Sequence, residues 1–386
     1  MDVMLLVGTR VEAVKAAPVA LALSGHGVLR PVIVHTGRHD GAVEQALAPF
    51  GLLVDVWLDA PPHPADRQAE LVAGLLPALD ETFQRHRPAA LVVQGEGSTL
   101  LAGALAAFWA QVPVVHLEAG TRTPQPLSPY FEENSRQLVT RIAALHLAPT
   151  SRAAAALRAE GVPRQRITII GNSVVDAVGY LAERDAPARC GELALLEMEV
   201  NEAGQRVLLM TANRSESWGE PLGRTLAALR RIVEEQDNLQ VLFPVHPDPA
   251  VRDQVIGAVG DLARVTITEP LEYPDLVRAL RLASLVLTDS GTIQEEATTF
   301  GTPVLVLGED TERREAVDAG YAWLVGTDPA TIHAAATEIL LGRRRVSRAE
   351  NPYGDGKAAA RAVIALEDLL GIAEGHFPTR VPASET

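Results

Sequence analysis

Short apolar runs alternate with amphipathic stretches along nearly the whole chain, and this alternation restricts the fold more than any other feature. The helix-like segments are 11–24, 66–87, 98–110 and 133–144. Strands that alternate strictly with helices imply right-handed βαβ units and a parallel sheet. The runs predicted as buried strands in the first half are Val3–Val7, Pro31–His35, Ala90–Val93, Val112–Val115 and Leu145–Ala148.

The same pattern starts again around a boundary near Gly171 to Ser173. A chain of 386 residues is long for one compact core and comfortable for two domains. We therefore predict an α/β protein with two doubly wound domains, residues 1–171 and 172–356. Ligands bind such sheets at the carboxyl ends of the strands, so the loops that follow strands are the candidate binding sites. The runs that repeat the pattern are Ile167–Ile170, Arg206–Met210, Val241–Pro244, Val265–Ile267, Leu285–Leu287 and Val304–Leu307.

Composition excludes several classes of function. Cys190 is the only cysteine, which excludes a disulfide framework and a Cys-based zinc site and favours a cytoplasmic protein without a metal. The formal charge of −15 argues against nucleic acid as a partner. No apolar run approaches the roughly 18 residues of a membrane span. An anionic small molecule remains compatible with this charge, because screening limits charge effects to roughly 8 Å.

The loop after the first strand, GTRVEAVKAAP at residues 8–18, could hold an anion. Gly8 permits a tight turn, and Arg10 and Lys15 place positive charge near a helix N-terminus. The stretch lacks a full dinucleotide-binding or Walker pattern. The alternative is a solvated helix start with a Glu12 and Lys15 pair.

LTDSGTIQEEATTFGTPVL, residues 287–305, predicts a phosphate site. A strand ends at Thr288, and Ser290 and Gly291 then open a helix whose free N–H groups could hold phosphate oxygens. Glu295 and Glu296 follow one turn later, where a carboxylate can accept from two vicinal ribose hydroxyls. Their alternative is the ordinary preference for acids near a helix N-terminus.

Carboxylates follow two strands of the first domain. Glu118 comes directly after a strand, Glu132 and Arg136 begin the next helix, and Glu96 follows another strand in QGEGSTL. Carboxylates in such places are candidates for proton transfer or sugar binding, with arginine holding an anion. The alternative is a solvated face.

In the second domain, the polar loop TANRSESWG at residues 211–219 directly follows a strand and carries Asn213. His246 in PVHPDP and Arg313 in DTERREA complete the candidate residues. The loop could do chemistry, hold a ligand or only turn the chain.

Together these loops resemble the non-hydrolysing UDP-N-acetylglucosamine 2-epimerases. The resemblance runs in order from residue 4 to about residue 370, and seven co-linear motifs carry it. The motifs are GTRVEAVKAAP, VHLEAGTRT, SPYFEENSRQ, PVHPDP, LTDSGTIQEEA, FGTPVLVLGEDTERREAVDAG and NPYGDG.

The resemblance implies two Rossmann-like domains in a GT-B-like arrangement with an interdomain cleft. A C-terminal helix, 357–372, would pack back on the first domain, which carries the sugar-side acids, while the second domain binds UDP. The implied reaction converts UDP-GlcNAc to UDP-ManNAc without NAD or an essential metal. UDP is eliminated anti across C1 and C2, and it adds back to the bound 2-acetamidoglucal after protonation on the other face. A homodimer is expected from the resemblance alone.

Motif by motif, the resemblance also assigns residues. It places Arg10 and Lys15 near the nucleotide, Ser290 and Gly291 on phosphate, and Glu296 on the ribose. Arg136 and Arg313 would neutralise the departing diphosphate. Glu118 and Glu132 match the catalytic carboxylates of the family.

The sequence departs from the family pattern at several positions. Where the family reads His-Gly-Asp-Thr, this chain has Gln94, Gly95, Glu96 and Gly97, so a catalytic aspartate becomes Glu96. The catalytic histidine of the family falls at Asn213, which cannot titrate.

Two further departures are milder. Thr292 replaces the second glycine of the phosphate turn, and Leu276 stands where an aromatic residue is common.

Three functions remain open at this stage. The first is a UDP-GlcNAc 2-epimerase, with a modified UDP-sugar as a further substrate option. The second is a glycosyltransferase or UDP-sugar hydrolase on the same scaffold. The third is a protein that binds a UDP-sugar without catalysis.

Overall fold

The structure is a computed structural model that describes residues 1–37, 41–59, 67–123, 131–346 and 350–372. Residue 66 of a predicted helix and residues 124–130, which include the start of the SPYFEENSRQ motif, lie outside the described residues. The chain divides into two compact units, Met1–Ala177 with Gly354–Thr386 (unit 1) and Val178–Tyr353 (unit 2). The predicted boundary lies a few residues earlier, at the start of the helix in which the units divide.

Unit 1 is a seven-stranded parallel sheet in the order β3-β2-β1-β4-β5-β6-β7. Its strands are β1 (Asp2–Val7), β2 (Arg30–His35), β3 (Val56–Trp57), β4 (Ala90–Gln94), β5 (Val114–Leu117), β6 (Leu145–Ala148) and β7 (Ile167–Ile169). The central strands are continuous apolar runs because helices cover both faces of a parallel sheet. The predicted strand Val112–Val115 is shifted, since β5 begins after Pro113 and continues to Leu117.

Among the described residues, helices connect these strands or follow them, the last of them, α7, continuing from unit 1 into unit 2, and the C-terminal helix joins them in unit 1. They are α1 (Arg10–Ser24), α2 (Ala42–Leu47), α3 (Gln68–His86), α4 (Ser98–Trp109), α5 (Glu132–Ile142), α6 (Ser151–Ala159), α7 (Ser173–Arg184) and α15 (Ala358–Leu370). The carboxylate of Asp176 accepts hydrogen bonds from the N–H groups of Ala358 (3.1 Å) and Ala359 (2.9 Å), so it caps α15. At the other end of this helix, Glu367 contacts His26 Nε2 at 2.9 Å.

Unit 2 repeats this topology in a six-stranded parallel sheet of order β10-β9-β8-β11-β12-β13. Its strands are β8 (Arg206–Thr211), β9 (Leu239–Pro244), β10 (Val265–Thr268), β11 (Ala283–Thr288), β12 (Val304–Val306) and β13 (Ala322–Leu324). Its helices are α8 (Gly191–Ala203), α9 (Glu220–Glu235), α10 (Pro249–Val259), α11 (Tyr273–Leu282), α12 (Gly291–Thr298), α13 (Arg314–Asp318) and α14 (Pro329–Leu340). The prediction of two doubly wound, Rossmann-like α/β domains is confirmed.

Each sheet has one point at which the strand order reverses. In unit 1 it lies between β1 and β4, and in unit 2 it lies between β8 and β11. Loops on either side of such a point diverge and leave a crevice at the carboxyl ends of the strands. The loops of Gly8, Glu96, Asn213 and Ser290 are the ones that follow these four strands.

Candidate active site

Glu118 occupies a strained backbone position at the end of β5. Its φ is +66°, in the left-handed region that side chains other than glycine rarely adopt. The residue is only 6% exposed, and the N–H of the following Ala119 bonds to Leu147 O at 3.0 Å. Strain of this kind persists only where surrounding contacts hold it, and it is concentrated at functional sites.

Three side chains hold the Glu118 carboxylate. Lys15 Nζ donates to Oε1 at 2.6 Å and to Oε2 at 2.7 Å. Gln94 Nε2 donates to Oε2, and Asn172 Nδ2 approaches Oε1 at 3.4 Å. All four residues are buried. A carboxylate that faces an ammonium and two amide donors is stabilised in its ionised, proton-accepting form.

The N-terminus of α1 is capped by the chain itself. Glu12 Oε2 accepts from the N–H groups of Gly8 (2.6 Å) and Thr9 (3.0 Å), while the Thr9 hydroxyl accepts from Glu12 N. This capping box places a carboxylate where the sequence suggested an anion site. Lys15 is directed to Glu118, and Arg10 is half-buried at the first helical position.

Glu96 is bound to Arg136 of α5. Arg136 is fully buried, and its Nη1 donates to Glu96 Oε2 at 2.5 Å while its Nη2 donates to Glu133 Oε2 at 3.0 Å. Glu133 also accepts from Thr123 N at 3.1 Å and Gln137 Nε2 at 2.9 Å. The Glu96 side chain is one-third exposed, so a buried guanidinium orients a carboxylate that solvent can reach.

Glu132 is half-buried at the first position of α5. Within the ranges that the structure describes, no hydrogen bond to its carboxylate is found. Its sequence neighbours 124–130 lie outside those ranges.

A buried histidine supports the loop that carries Glu96. His116 Nε2 lies 3.0 Å from Gly95 O, so its N–H donates a hydrogen bond to that carbonyl. Burial lowers the pKa of His116 to about 3. Burial also lowers the pKa of His146, its partner in β6, to about 4. Both rings are therefore neutral at pH 7, and His116 acts as a hydrogen-bond donor to the backbone.

In unit 2, the turn between β11 and α12 presents the residues predicted to bind phosphate. Ser290 is the N-cap residue, its N–H bonds to Thr288 Oγ1 at 2.9 Å, and its hydroxyl makes no capping bond. Gly291 and half-buried Thr292 begin α12. Glu296 is buried one turn further along the helix. Free N–H groups at such a helix start favour an anion.

Arg313 lies beside this turn. Its guanidinium contacts Glu295 at 2.5 Å and Glu312 at 3.1 Å, and it is 5% exposed. A Cβ placed on Gly291 would lie 3.8 Å from Arg313 Cζ, so the cation is next to the helix start. Tyr353 of the NPYGDG motif donates its hydroxyl to Arg313 O at 3.3 Å and is itself buried.

Asp289 joins this turn to the loop of Asn213. Its carboxylate accepts from Asn213 N at 3.0 Å and from Arg214 N at 2.9 Å, and it is 5% exposed. The side chain of Asn213 is exposed. The structure therefore brings Asn213, Ser290 and Arg313 into one cluster in unit 2.

His246 contacts the same loop through an aromatic ring. Its ring centroid lies 4.9 Å from that of Trp218, and its Nδ1 accepts from Asp248 N at 3.1 Å. Nε2 is thus the protonated nitrogen when the ring is neutral. His246 is half-buried.

Among the residues that the structure describes, no group of three or more His, Cys, Asp or Glu side chains could hold a metal ion. No helix in these ranges has the length and apolar character needed to cross a bilayer.

The sequence did not indicate the supporting roles of four residues that hold the candidate groups. Gln94 and Asn172 bind Glu118, Glu12 caps α1, and Asp289 anchors the Asn213 loop. Gln94 ends β4 and Asp289 directly follows β11, both at switch points, so their positions carried a signal. Asn172 gave none, because its partner is 54 residues away.

The arrangement suits a reaction on a nucleotide sugar. Unit 1 offers ionised carboxylates beside cations, and unit 2 offers a helix start and a buried arginine for phosphate. Two Rossmann-like domains with these sites are typical of the GT-B-like class of nucleotide-sugar enzymes, and solved epimerase structures match the chain closely. Within this class, the chain belongs to the UDP-N-acetylglucosamine 2-epimerase family, whose model matches residues 21–367.

Named relatives and solved structures agree with this assignment. The UDP-N-acetylglucosamine 2-epimerase of Bacillus subtilis is 39% identical over 96% of this chain and 95% of that protein. The S. aureus MnaA–UDP co-structure is 34% identical with a TM-score of 0.87, over 97% of this chain and 98% of that one. The Neisseria meningitidis UDP-GlcNAc 2-epimerase bound to UDP-GlcNAc is 31% identical with a TM-score of 0.86, over 95% of this chain and 100% of that one. The predicted family is confirmed.

Proposed function

We propose that this chain interconverts UDP-GlcNAc and UDP-ManNAc by inverting C2 of the hexose. The observation that carries the proposal is the buried Glu118 carboxylate, held by Lys15, Gln94 and Asn172 at the end of a switch-point strand. Family membership and the relatives at 31–39% identity support the same reaction.

In the proposed reaction, a carboxylate of unit 1 takes the proton from C2 while the C1–O bond to UDP breaks. The C1=C2 double bond that forms leaves 2-acetamidoglucal, and the bond electrons leave with the UDP oxygen. A proton then adds to C2 from the other face, and UDP returns to C1. Glu96, Glu118 and Glu132 are the proposed proton carriers.

The residues of unit 2 are proposed to hold the UDP of the same substrate. Ser290, Gly291 and Thr292 begin α12, and its N–H groups would bind phosphate oxygens. Arg313 would balance the charge of the departing diphosphate. Glu296 is proposed to bind the ribose, with His246 and Asn213 as further contacts to the nucleotide sugar. Arg10 and Arg136 are proposed to add positive charge on the unit 1 side.

The reaction is tested by incubating the purified protein with UDP-GlcNAc in deuterated water and following the sugars by NMR. Deuterium at C2 together with UDP-ManNAc is the expected result, and Glu118→Gln should suppress both. Free UDP with a hexosamine would identify a hydrolase. Turnover only after an acceptor is added would identify a transferase. UDP binding without any reaction would leave a binding protein.

Binding is tested separately by titration calorimetry with UDP. Arg313→Ala is expected to weaken binding about 10- to 100-fold, as for loss of a charged hydrogen bond. Arg314→Ala is the matched control, since this exposed neighbour pairs with Asp310. Absence of heat with the wild type, or equal affinity in both variants, would contradict the role of unit 2.

We also propose that the protein is a cytoplasmic homodimer. The family resemblance supports the dimer, and the single Cys190 suits a reducing compartment. Multi-angle light scattering tests the dimer. A mass of 41.2 kDa, that of a single chain, would contradict it.

A further inference from the structure

Gln94 is the last residue of β4, is 5% exposed, and donates through its side-chain amide to Glu118 Oε2. We propose that Gln94 is a positioning residue that fixes the orientation of the Glu118 carboxylate for proton transfer at C2. This inference rests on the proposed function, because it assigns a task to a residue that supports the reacting group.

Lys15 alone cannot fix this orientation. Its ammonium lies 2.6 and 2.7 Å from the two oxygens of Glu118 and so treats them alike. An ammonium is a compact point charge with rotatable donors, and it attracts the carboxylate in more than one orientation. Gln94 binds Oε2, whereas Asn172 approaches Oε1 at 3.4 Å. The two amides therefore distinguish the oxygens and hold the carboxylate plane.

The backbone makes Gln94 a rigid support. Gln94 pairs in register with Leu117, the residue directly before Glu118. The next residue, Gly95, donates its N–H to Leu117 O at 3.3 Å, and its own carbonyl accepts a hydrogen bond from His116 Nε2. Groups on paired strands are positioned more accurately than groups on loops.

The orientation of the Gln94 amide follows from its partner. An ionised carboxylate only accepts hydrogen bonds, so the NH2 group of Gln94 must face Glu118. The amide does not titrate, and the donor is present at every pH.

The test uses the full chain with UDP-GlcNAc and compares Gln94→Leu, Gln94→His and the wild type. Gln94→Leu is expected to lower kcat about 10- to 100-fold, the effect of a misplaced reacting group. KM should stay within about threefold, since a positioning residue acts through Glu118 and changes the chemical step. Exchange of the C2 proton with deuterated water should fall by the same factor as kcat.

Gln94→His should restore at least part of the lost kcat, because an imidazole N–H can donate to Glu118. Gln84→Leu is the matched control: it changes an exposed glutamine of α3 that bonds only to Asp80 among the described residues.

The outcomes separate the inference from the proposed function. If the wild type does not epimerise UDP-GlcNAc, the proposed function itself fails. If the wild type is active and Gln94→Leu keeps its kcat, the positioning role is wrong. It is equally wrong if Gln94→Leu loses thermal stability and UDP affinity together with activity, or if Gln94→His is as slow as Gln94→Leu.

Discussion

At the scale of single residues, the backbone of Glu118 and the contacts of its carboxylate must be explained together. Four non-glycine residues in the described ranges have positive φ, and Arg87, Gln111 and Asp185 are exposed. Glu118 alone among the four is buried. A left-handed residue of this kind costs about 1–3 kcal/mol. The ion pair with Lys15 holds Glu118 in this backbone conformation. The strained conformation therefore places a charged side chain at the end of the sheet.

Lys15→Met should destabilise unit 1 because it leaves Glu118 buried without its cation. Removing one partner of a buried ion pair costs about 3–5 kcal/mol. The double variant Lys15→Met with Glu118→Gln should recover part of this loss, since no buried charge is left uncompensated. Scanning calorimetry measures the melting temperatures of both variants and of the wild type. Equal melting of the wild type and Lys15→Met would show that the pair contributes nothing to stability.

Asn213→His tests whether the exposed loop of unit 2 can regain a titrating group. General acid–base catalysis contributes about 100- to 10,000-fold, so even an imperfectly placed imidazole should raise kcat. The pH profile should gain an ionisation near the ordinary imidazole range. Asn213→Gln, which cannot titrate, is the control. A variant with unchanged kcat and pH profile would indicate that position 213 does not take part in proton transfer.

At the scale of elements, the candidate groups of each unit collect where the strand order reverses. In unit 2, Asp289 links the ends of β8 and β11, since it precedes Ser290 and accepts from Asn213 N and Arg214 N. The loop of Asn213 and the start of α12 are therefore expected to move as one piece.

Asp289→Ala should release the Asn213 loop, because two backbone N–H groups lose their acceptor. Hydrogen exchange at Asn213 and Arg214 should become faster, and UDP should bind more weakly. Asp289→Asn keeps one acceptor oxygen and should lie between the wild type and Asp289→Ala. Asp328→Asn, at the cap of α14, is the control for a changed aspartate in unit 2. Unchanged exchange in Asp289→Ala would contradict the anchoring role.

The alternation of apolar runs predicted the βαβ architecture because buried parallel strands need continuous apolar sequence. Leu145–Ala148 was predicted with the bounds that β6 has. The edge strands β3 (Val56–Trp57) and β13 (Ala322–Leu324) were missed, since they are two and three residues long and lack a complete buried run.

The candidate site was predicted less completely than the fold. Glu118 was recognisable from its place after a strand, but its neighbours depend on tertiary contacts. Lys15 lies 103 residues away in sequence, and its contact with Glu118 was not predicted. Local sequence specifies where a strand ends. Which charged side chain contacts the residue at that end depends on how α1 packs against the sheet.

At the scale of the whole molecule, pH acts on the stability of unit 1 through buried histidines. His116 of β5 and His146 of β6 are paired in register and nearly inaccessible to solvent. Burial lowers the pKa values from 6.5 to about 3 for His116 and to about 4 for His146, and Arg122 and Arg166 further disfavour a charged His146. The unfolded chain therefore binds protons that the folded chain does not, once the pH falls below about 6.5.

His146→Leu should reduce the acid sensitivity of unit 1. A lowered folded pKa means that the stability from a neutral histidine is fully present above about pH 6.5 and is lost as the pH falls toward about 4. Calorimetric melting of the wild type between pH 7.5 and pH 4.5 should show this decline, and the curve for His146→Leu should be flatter because the group that takes up the proton is gone. Since His116 keeps its hydrogen bond to Gly95 O in this variant, epimerase activity at pH 7.5 should change little. A pH dependence of melting that is as steep in His146→Leu as in the wild type would place the acid-sensitive group elsewhere in the chain.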